Sequence, residues 1–217
     1  MKKFSLSHSH TECVSNFWRL HHYSLSLSLS LWSLNSQASY LCRRCGRERE
    51  TPSHVLGACP FGDLWRIQRH DKVKHRLAEL LANKNFECLI EVPCVDTLGS
   101  NRRIDILAFE PGSSMAYIID PTIRFETNEN MEQLVQNEKV NIYASCWENL
   151  KNNFPQIGNR RIEVIGLWFG SRGTISPQII SFFNRFGLPL NDLYGIAESI
   201  LVDSIKMIHH HIYSSNH

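Results

Sequence analysis

Two short runs constrain this chain more than any other feature. Arg102-Arg103-Ile104-Asp105-Ile106-Leu107-Ala108-Phe109 and Met115-Ala116-Tyr117-Ile118-Ile119-Asp120-Pro121-Thr122 are rich in branched and aromatic residues, with the turn-forming Glu110-Pro111-Gly112-Ser113-Ser114 between them. They read as adjacent antiparallel strands joined by a tight loop. Each carries one carboxylate among apolar neighbours: Asp105 beside Ile104, Ile106 and Leu107, and Asp120 at the end of Ile118-Ile119. Such a carboxylate is partly desolvated unless something offsets its charge. Mg²⁺ suits the task, because it takes one or two protein carboxylates and fills its other positions with water or phosphate oxygens. The plainer reading lets Asp105 accept from a loop amide and makes Asp120 a strand end before Pro121. From these residues alone both readings stand.

The chain has 217 residues, 42% of them hydrophobic and 20% charged, which allows one globular domain of ordinary size and a small appendage. The net charge of +2 conceals a division. Residues 41–85 hold ten Lys and Arg against five Asp and Glu, whereas residues 86–217 hold ten against fifteen. A basic segment followed by a carboxylate-bearing one suits a protein that grips phosphates with one part and places metal with the other. A solvated charged helix gives the same count. Seven cysteines at 13, 42, 45, 59, 88, 94 and 146, without a secretory signal, do not form a disulfide framework. There is no apolar run of the roughly 18 residues that a membrane span needs, so the expectation is an intracellular protein with no membrane partner.

Residues 1–40 do not read as a domain. The alternation Tyr23-Ser24-Leu25-Ser26-Leu27-Ser28-Leu29-Ser30-Leu31-Trp32 has the period of a strand but no partner nearby. A Ser-Leu repeat is also what an alternating pyrimidine dinucleotide repeat encodes. The segment is expected to be a disordered, low-complexity leader.

Cys42, Cys45, His54 and Cys59 follow in the spacing Cys-x2-Cys-x8-His-x4-Cys. A Cys-x2-Cys turn supplies two thiolates from one knuckle, and a later His and Cys complete the tetrahedron that zinc prefers. Arg43, Arg44, Arg47 and Arg49 lie in or beside that loop and would give it a phosphate-facing surface. Reduced core cysteines are the competing reading.

From Asp63 to Lys84 the period turns helical, with Val73, Leu77, Leu80 and Leu81 as an apolar stripe, Arg69, His70, Lys72, Lys74 and Arg76 around it, and Asp71 as an N-cap for the second half. This is either a basic helix against a nucleic-acid backbone or an amphipathic surface helix. Phe86–Val92 reads as a strand ended by Pro93, with Glu91 as a third candidate carboxylate. A helix is expected over 129–153, where Lys139 and Tyr143 share one face. Arg161–Phe169 is a further strand; a helix capped by Ser176-Pro177 and closed by Gly187 follows, then a last helix from about Asn191. His209-His210-His211 receive no role, because three consecutive residues on a helix cannot face one site.

In this order the residues resemble a known family. The CCHC knuckle, Arg69-His70-Asp71, Glu91-Val92-Pro93, Asp105 preceded by basic residues, Asp120 after fourteen intervening positions and Lys139-x3-Tyr143 look like the part of site-specific non-LTR retrotransposon proteins that carries a restriction-like endonuclease. The match covers roughly residues 41–150, with similar-looking elements on to about 208. The resemblance implies an α/β fold: a restriction-endonuclease-like PD-(D/E)xK core, a small mixed sheet flanked by helices over 63–213, behind a CCHC zinc knuckle at 41–62. It implies that Asp105 and Asp120 bind Mg²⁺ or Mn²⁺, that Lys139 positions water and neutralises charge, that Tyr143 supports it, and that Cys42, Cys45, His54 and Cys59 bind Zn²⁺. Arg43, Arg44, Arg69, His70 and Lys72 are the expected nucleic-acid contacts, Glu91 the additional catalytic candidate. The wider superfamily has its lysine two residues after the second carboxylate, where this chain has Thr122, and the family's proline before the first Asp is Ile104 here.

The implied partner is a double-stranded DNA target in the nucleus, with element RNA as a second candidate. Nothing in the sequence has the length or the paired-aspartate turn of a polymerase palm. The expectation is therefore a fragment, truncated copy or domesticated piece that nicks DNA without copying it. The rival is a catalytically decayed remnant that still binds nucleic acid.

Overall fold

The computed structural model describes residues 41–214; the expected leader at 1–40 and Cys13 lie outside the described residues. In chain order the elements are α1 (Pro52–Gly57), α2 (Asp63–Ala82), β1 (Glu87–Val95), β2 (Asn101–Phe109), β3 (Met115–Arg124), α3 (Met131–Tyr143), α4 (Trp147–Asn153), β4 (Arg161–Gly170), α5 (Pro177–Arg185) and α6 (Leu190–Tyr213), with short 3-10 turns at Pro60–Gly62 and Ala144–Cys146. The described residues group into two units, one of residues 63–204 and one that joins 41–62 with 205–214. No helix among the described residues is long and apolar enough to cross a membrane.

The larger unit is built on a four-stranded mixed sheet in the order β1-β2-β3-β4. The first two pairings are antiparallel and β3 with β4 is parallel, so the chain leaves β3, crosses over through α3 and α4, and returns. This is the expected α/β class. Side chains alternate between two cores. On one face Ile106, Ala108, Ile119, Ile165 and Leu167 pack with Val73, Leu77 and Leu81 of α2 and with residues of α5 and α6. On the other, Leu107, Phe109, Ala116 and Ile118 pack with Tyr143, Cys146 and Leu150.

Three local expectations change. Pro93 does not end β1, which runs to Val95 with Pro93 opposite Arg103; β1 is an edge strand, where a residue without an N–H is tolerated. Asp71 is not an N-cap. Helix α2 passes through it unbroken because no breaker interrupts the apolar stripe, and its carboxylate is instead 2.7 Å from Lys74. The helix expected over 129–153 is interrupted by the turn Ala144–Cys146, so that α3 and α4 are separate.

Helix α3 sits very close to β4 because of one glycine. A Cβ on Gly166 would lie 3.0 Å from Lys139 Cγ, 3.1 Å from the Val135 carbonyl and 3.2 Å from Gln136 Cα. Gln136 completes the seam: its amide donates to the Val164 carbonyl at 2.9 Å and its carbonyl accepts from the Gly166 N–H at 2.8 Å. Backbone groups on the outer edge of β4 are thus paired by a side chain, which also blocks addition of another strand there. Gly166 is the register partner of Asp120, so the close approach sets α3 over that carboxylate. Two glycine substitutions should separate in sign. Gly166→Ala is expected to destabilise the protein by about 1–3 kcal/mol through overpacking. Gly195→Ala, on an exposed helical position with open space around its Cβ, is expected to stabilise it by about 0.5–1 kcal/mol. Urea denaturation of both variants checks this; equal effects would mean that α3 yields freely.

Candidate functional site

The candidate carboxylates occupy one row across the sheet, at the place where its ladder opens. Between β1 and β2 the pairs step from Ile90↔Ile106 to Val92↔Ile104, which sets Glu91 opposite Asp105. Between β2 and β3 the last pair is Ile106↔Ile119, so Asp105 and Asp120 are the first residues beyond the point where the strands part. Asp120 pairs onward with Gly166. The strand alternation breaks at the same row: Ile104 joins the core of Leu107 and Phe109, although regular alternation would set it with Ile106. Glu91 has a φ of 57°, a left-handed conformation rare for a residue with a Cβ. Such outliers store about 1–3 kcal/mol and concentrate at functional sites.

Asp120 is 3% exposed. The Tyr143 hydroxyl donates to its Oδ2 at 2.7 Å and lies 3.0 Å from the Arg103 carbonyl. Thr122 donates to Oδ1 at 3.2 Å, and Lys139 Nζ is 3.1 Å from the same oxygen. Burial raises the Asp120 pKa; Lys139 pulls against this, while the Asp105 charge, near enough to act on it, adds to the rise. Burial also raises the Tyr143 pKa, and the Asp120 charge raises it further, so the phenol remains a donor. The pair Arg124–Glu138, joined by hydrogen bonds of 2.6 and 2.8 Å, lies beside this group, with Glu138 3.8 Å from Lys139.

Asp105 is reached from the other side of the chain by α2. His70 Nε2 lies 3.1 Å from Asp105 Oδ2, and His70 Nδ1 is 3.5 Å from Asp71. Burial, the largest single influence, opposes the charged imidazole, but the hydrogen bond and charge of Asp105 together with the Asp71 hydrogen bond exceed it, and the His70 pKa is raised. Glu91 is held by the buried Lys74 and by Arg103 at 3.2 Å. Asp105, Asp120, Lys139 and Tyr143 are therefore brought together, whereas Glu91 stands in the same row with its charge taken up by two cations.

In the smaller unit the ligand atoms of Cys42, Cys45, His54 and Cys59 lie within 4.8 Å of one another, a cluster that can hold a metal ion such as zinc. In a tetrahedron with Zn–S of about 2.3 Å and Zn–N of about 2.0 Å, the S···S edge is about 3.8 Å and the S···N edge about 3.5 Å. The Cys42–Cys59 sulfurs are 3.7 Å apart, and Cys45 Sγ is 3.3 Å from His54 Nε2. The other imidazole nitrogen, Nδ1, lies 3.1 Å from Glu48, the carboxylate contact that orients a metal-bound histidine. Thr51 caps α1 and so positions His54. A backbone hydrogen bond at Arg47 lowers the Cys45 thiol to about 7, while burial pushes Cys59 up to about 12.

The expected phosphate-facing residues divide. Arg69 is 2% exposed and donates to Ser204 at 2.6 Å, so it faces the interior and not a ligand. Arg44 donates to the carbonyls of His210, His211 and Ser214. Arg43 pairs with Glu50 at 2.7 Å, His70 with Asp105, and Lys72 with Asp203 at 2.6 Å while its side chain stays 56% exposed. Sequence reasoning missed Gly166 and Gln136, and it named Lys74 only as one of the basic residues of α2, without its partners. A lone Gly in a strand is the one signal that pointed to a close backbone approach; for Gln136 and Lys74 the partners are too distant in sequence to be read.

These features define an α/β protein with a carboxylate–lysine–tyrosine group where two strands of its sheet part and a separate Cys/His cluster able to hold a metal. The chain is similar to the Retrovirus-related Pol polyprotein from type-1 retrotransposable element R2 of Nasonia vitripennis, with 26% identity over 200 residues, 89% of this chain and 19% of that protein. Two polyproteins of the same description from Popillia japonica match at 30% over 139 residues and 28% over 141, covering 63% and 64% of this chain and 28% of each of theirs. The chain thus spans about a fifth to just over a quarter of the length of these relatives. No family model matches it. A crystal structure of a protein of unknown function matches with a TM-score of 0.28 at 14% identity, over 65% of this chain and 98% of that one, a likeness too low to define the fold. The resemblance to non-LTR retrotransposon polyproteins is borne out, and the chain is related to one region of them. The buried Tyr143 hydroxyl is expected to matter for stability as well: Tyr143→Phe should lower unfolding free energy by about 1–3 kcal/mol, because the Asp120 carboxylate loses a buried donor. Chemical denaturation measures it, and an unchanged midpoint would show that water replaces the phenol without loss.

Proposed function

We propose that this chain is a metal-dependent DNA endonuclease, the target-nicking region of a non-LTR retrotransposon polyprotein. In this reading residues 41–62 form a CCHC zinc knuckle and 63–213 a restriction-endonuclease-like domain. The observation that carries it is the convergence of Asp105, Asp120, Lys139 and Tyr143 on one row of the sheet where the strands part. The donor set fits a hard divalent cation, which takes one or two carboxylates and fills its remaining positions with water and phosphate oxygens: Asp105 and Asp120 come from neighbouring strands at the end of their pairing.

Bound by Asp105 and Asp120, Mg²⁺ or Mn²⁺ supplies Lewis-acid charge and a water of lowered pKa. The chain's own residues do the rest. Tyr143 and Thr122 fix the orientation of the Asp120 carboxylate from opposite oxygens. Lys139 holds positive charge at Asp120 Oδ1, beside the position a scissile phosphate takes, where it opposes the negative charge that gathers in the transition state. The aliphatic part of Lys139 is held against Gly166, so the ammonium is positioned by the helix docking and not by a flexible stem. His70 orients Asp105 from α2. Glu91 takes a supporting part, tying α2 to β1 through Lys74. Double-stranded DNA is the proposed substrate and the nucleus the site of action, with element RNA a second partner.

The decayed-remnant reading is favoured by one observation: Asp105, Asp120 and Glu91 each already face a cationic or donor group of the chain. A plasmid-nicking assay at low salt separates the two. The parent chain is expected to convert supercoiled to open-circular DNA only with Mg²⁺ or Mn²⁺, Asp120→Ala to abolish this, and Lys139→Ala to lower the rate about 10²-fold or more. Nicking that persists in Asp120→Ala would sink the assignment. DNA retarded in a gel by a parent chain that does not nick would establish the binding remnant.

A further inference from the structure

The last helix carries His209-His210-His211, and helical geometry sends the three in different directions. His209 is exposed and lies against Tyr213, with centroids 4.7 Å apart. His210 stacks on Phe61 at 5.3 Å, and Arg44 lies over the Phe61 ring at 4.5 Å. His211 is 2% exposed, edge-on to Phe61 at 5.9 Å. Its Nε2 lies 3.5 Å from Cys42 Sγ and 3.4 Å from Glu50 Oε2. Arg44 donates to the carbonyls of His210, His211 and Ser214, satisfying acceptors that a helix C-terminus leaves open.

We infer that His211 is an outer-shell residue of the metal centre: its Nε2 faces both Cys42 Sγ and Glu50 Oε2, and with its proton there it donates to the Cys42 thiolate in a bond shared with Glu50, so that metal binding at Cys42, Cys45, His54 and Cys59 and ordering of the last helical turn are coupled. The inference rests on the reading of that cluster as a zinc site. Three thiolates around one Zn²⁺ leave net negative charge on the sulfurs, and an N–H aimed at one of them is a charge-assisted bond that stabilises the deprotonated ligand. The same three side chains, Cys42, Glu50 and His211, also lie close enough to hold a second ion. The charges around them oppose it. Glu50 already accepts from the Arg43 backbone N–H and from Arg43 Nε, each at 2.7 Å, so a second cation would have to displace Arg43 and sit beside two guanidinium groups. A donor role for His211 needs no such displacement.

The test uses the full chain, zinc competition against a chromogenic chelator, and hydrogen exchange of the backbone amides of residues 207–213. The parent is expected to bind a single zinc, and zinc to slow exchange in 207–213. His211→Ala should weaken zinc binding about 10–100-fold and remove that protection, while His211→Gln, which keeps an N–H donor, recovers part of both. His210→Ala, which loses the Phe61 stacking and the Ser214 hydroxyl contact but no group facing Cys42, should stay within about threefold of the parent. The inference is overturned if His211→Ala binds zinc as the parent does, if His210→Ala loses as much, or if two zinc ions bind per chain. A parent that binds no zinc would overturn the zinc reading of the cluster along with it.

Discussion

The buried carboxylate of Asp120 is the constraint on which the larger unit depends. A carboxylate at 3% exposure is tolerable only if its oxygens are met by donors, and here each donor arrives from a different level of the fold. Thr122 comes from two residues along the same strand, Lys139 and Tyr143 from successive turns of α3. That helix reaches the sheet only because β3 and β4 pair in the register that sets Gly166 beside Asp120. Without the parallel pairing or the crossover, Asp120 would lose Lys139 and Tyr143 and keep only Thr122 of its side-chain partners.

The same row shows a sheet giving up regularity. Local choices in a well-specified protein agree with one another, and the exceptions gather where function needs them. Here the exceptions coincide: a left-handed Glu91, a broken alternation at Asp105 and the end of β2–β3 pairing after Ile106. Each alone would be a small irregularity. Together they end the β2–β3 ladder at the row where Asp105 and Asp120 stand, so the irregularity and the two carboxylates coincide.

The smaller unit works by a different principle. Residues 41–62 bury little beyond Val55, Leu56 and the ligand side chains, too little apolar surface to hold a fold by itself. A tetrahedral metal contributes folding energy outright in such units. Basic residues near it already carry partners within the chain, the exposed Arg43 with Glu50 and Arg44 with the end of α6.

What the sequence determined by itself is local. The branched and aromatic runs that carry Asp105 and Asp120, the stripe of Val73, Leu77 and Leu81, the cap at Ser176-Pro177 and the Cys-x2-Cys-x8-His-x4-Cys spacing are all set by residues close in the chain. The α3 face of Lys139 and Tyr143 was legible for the same reason. What the tertiary structure alone decided is which partner each polar group finds. Arg69 meets Ser204, Lys74 meets Glu91, Asp105 meets His70 and Cys42 meets His211. A period tells which way a side chain faces, but the energy of a buried charge depends on the group opposite it, and that group comes from a distant part of the chain.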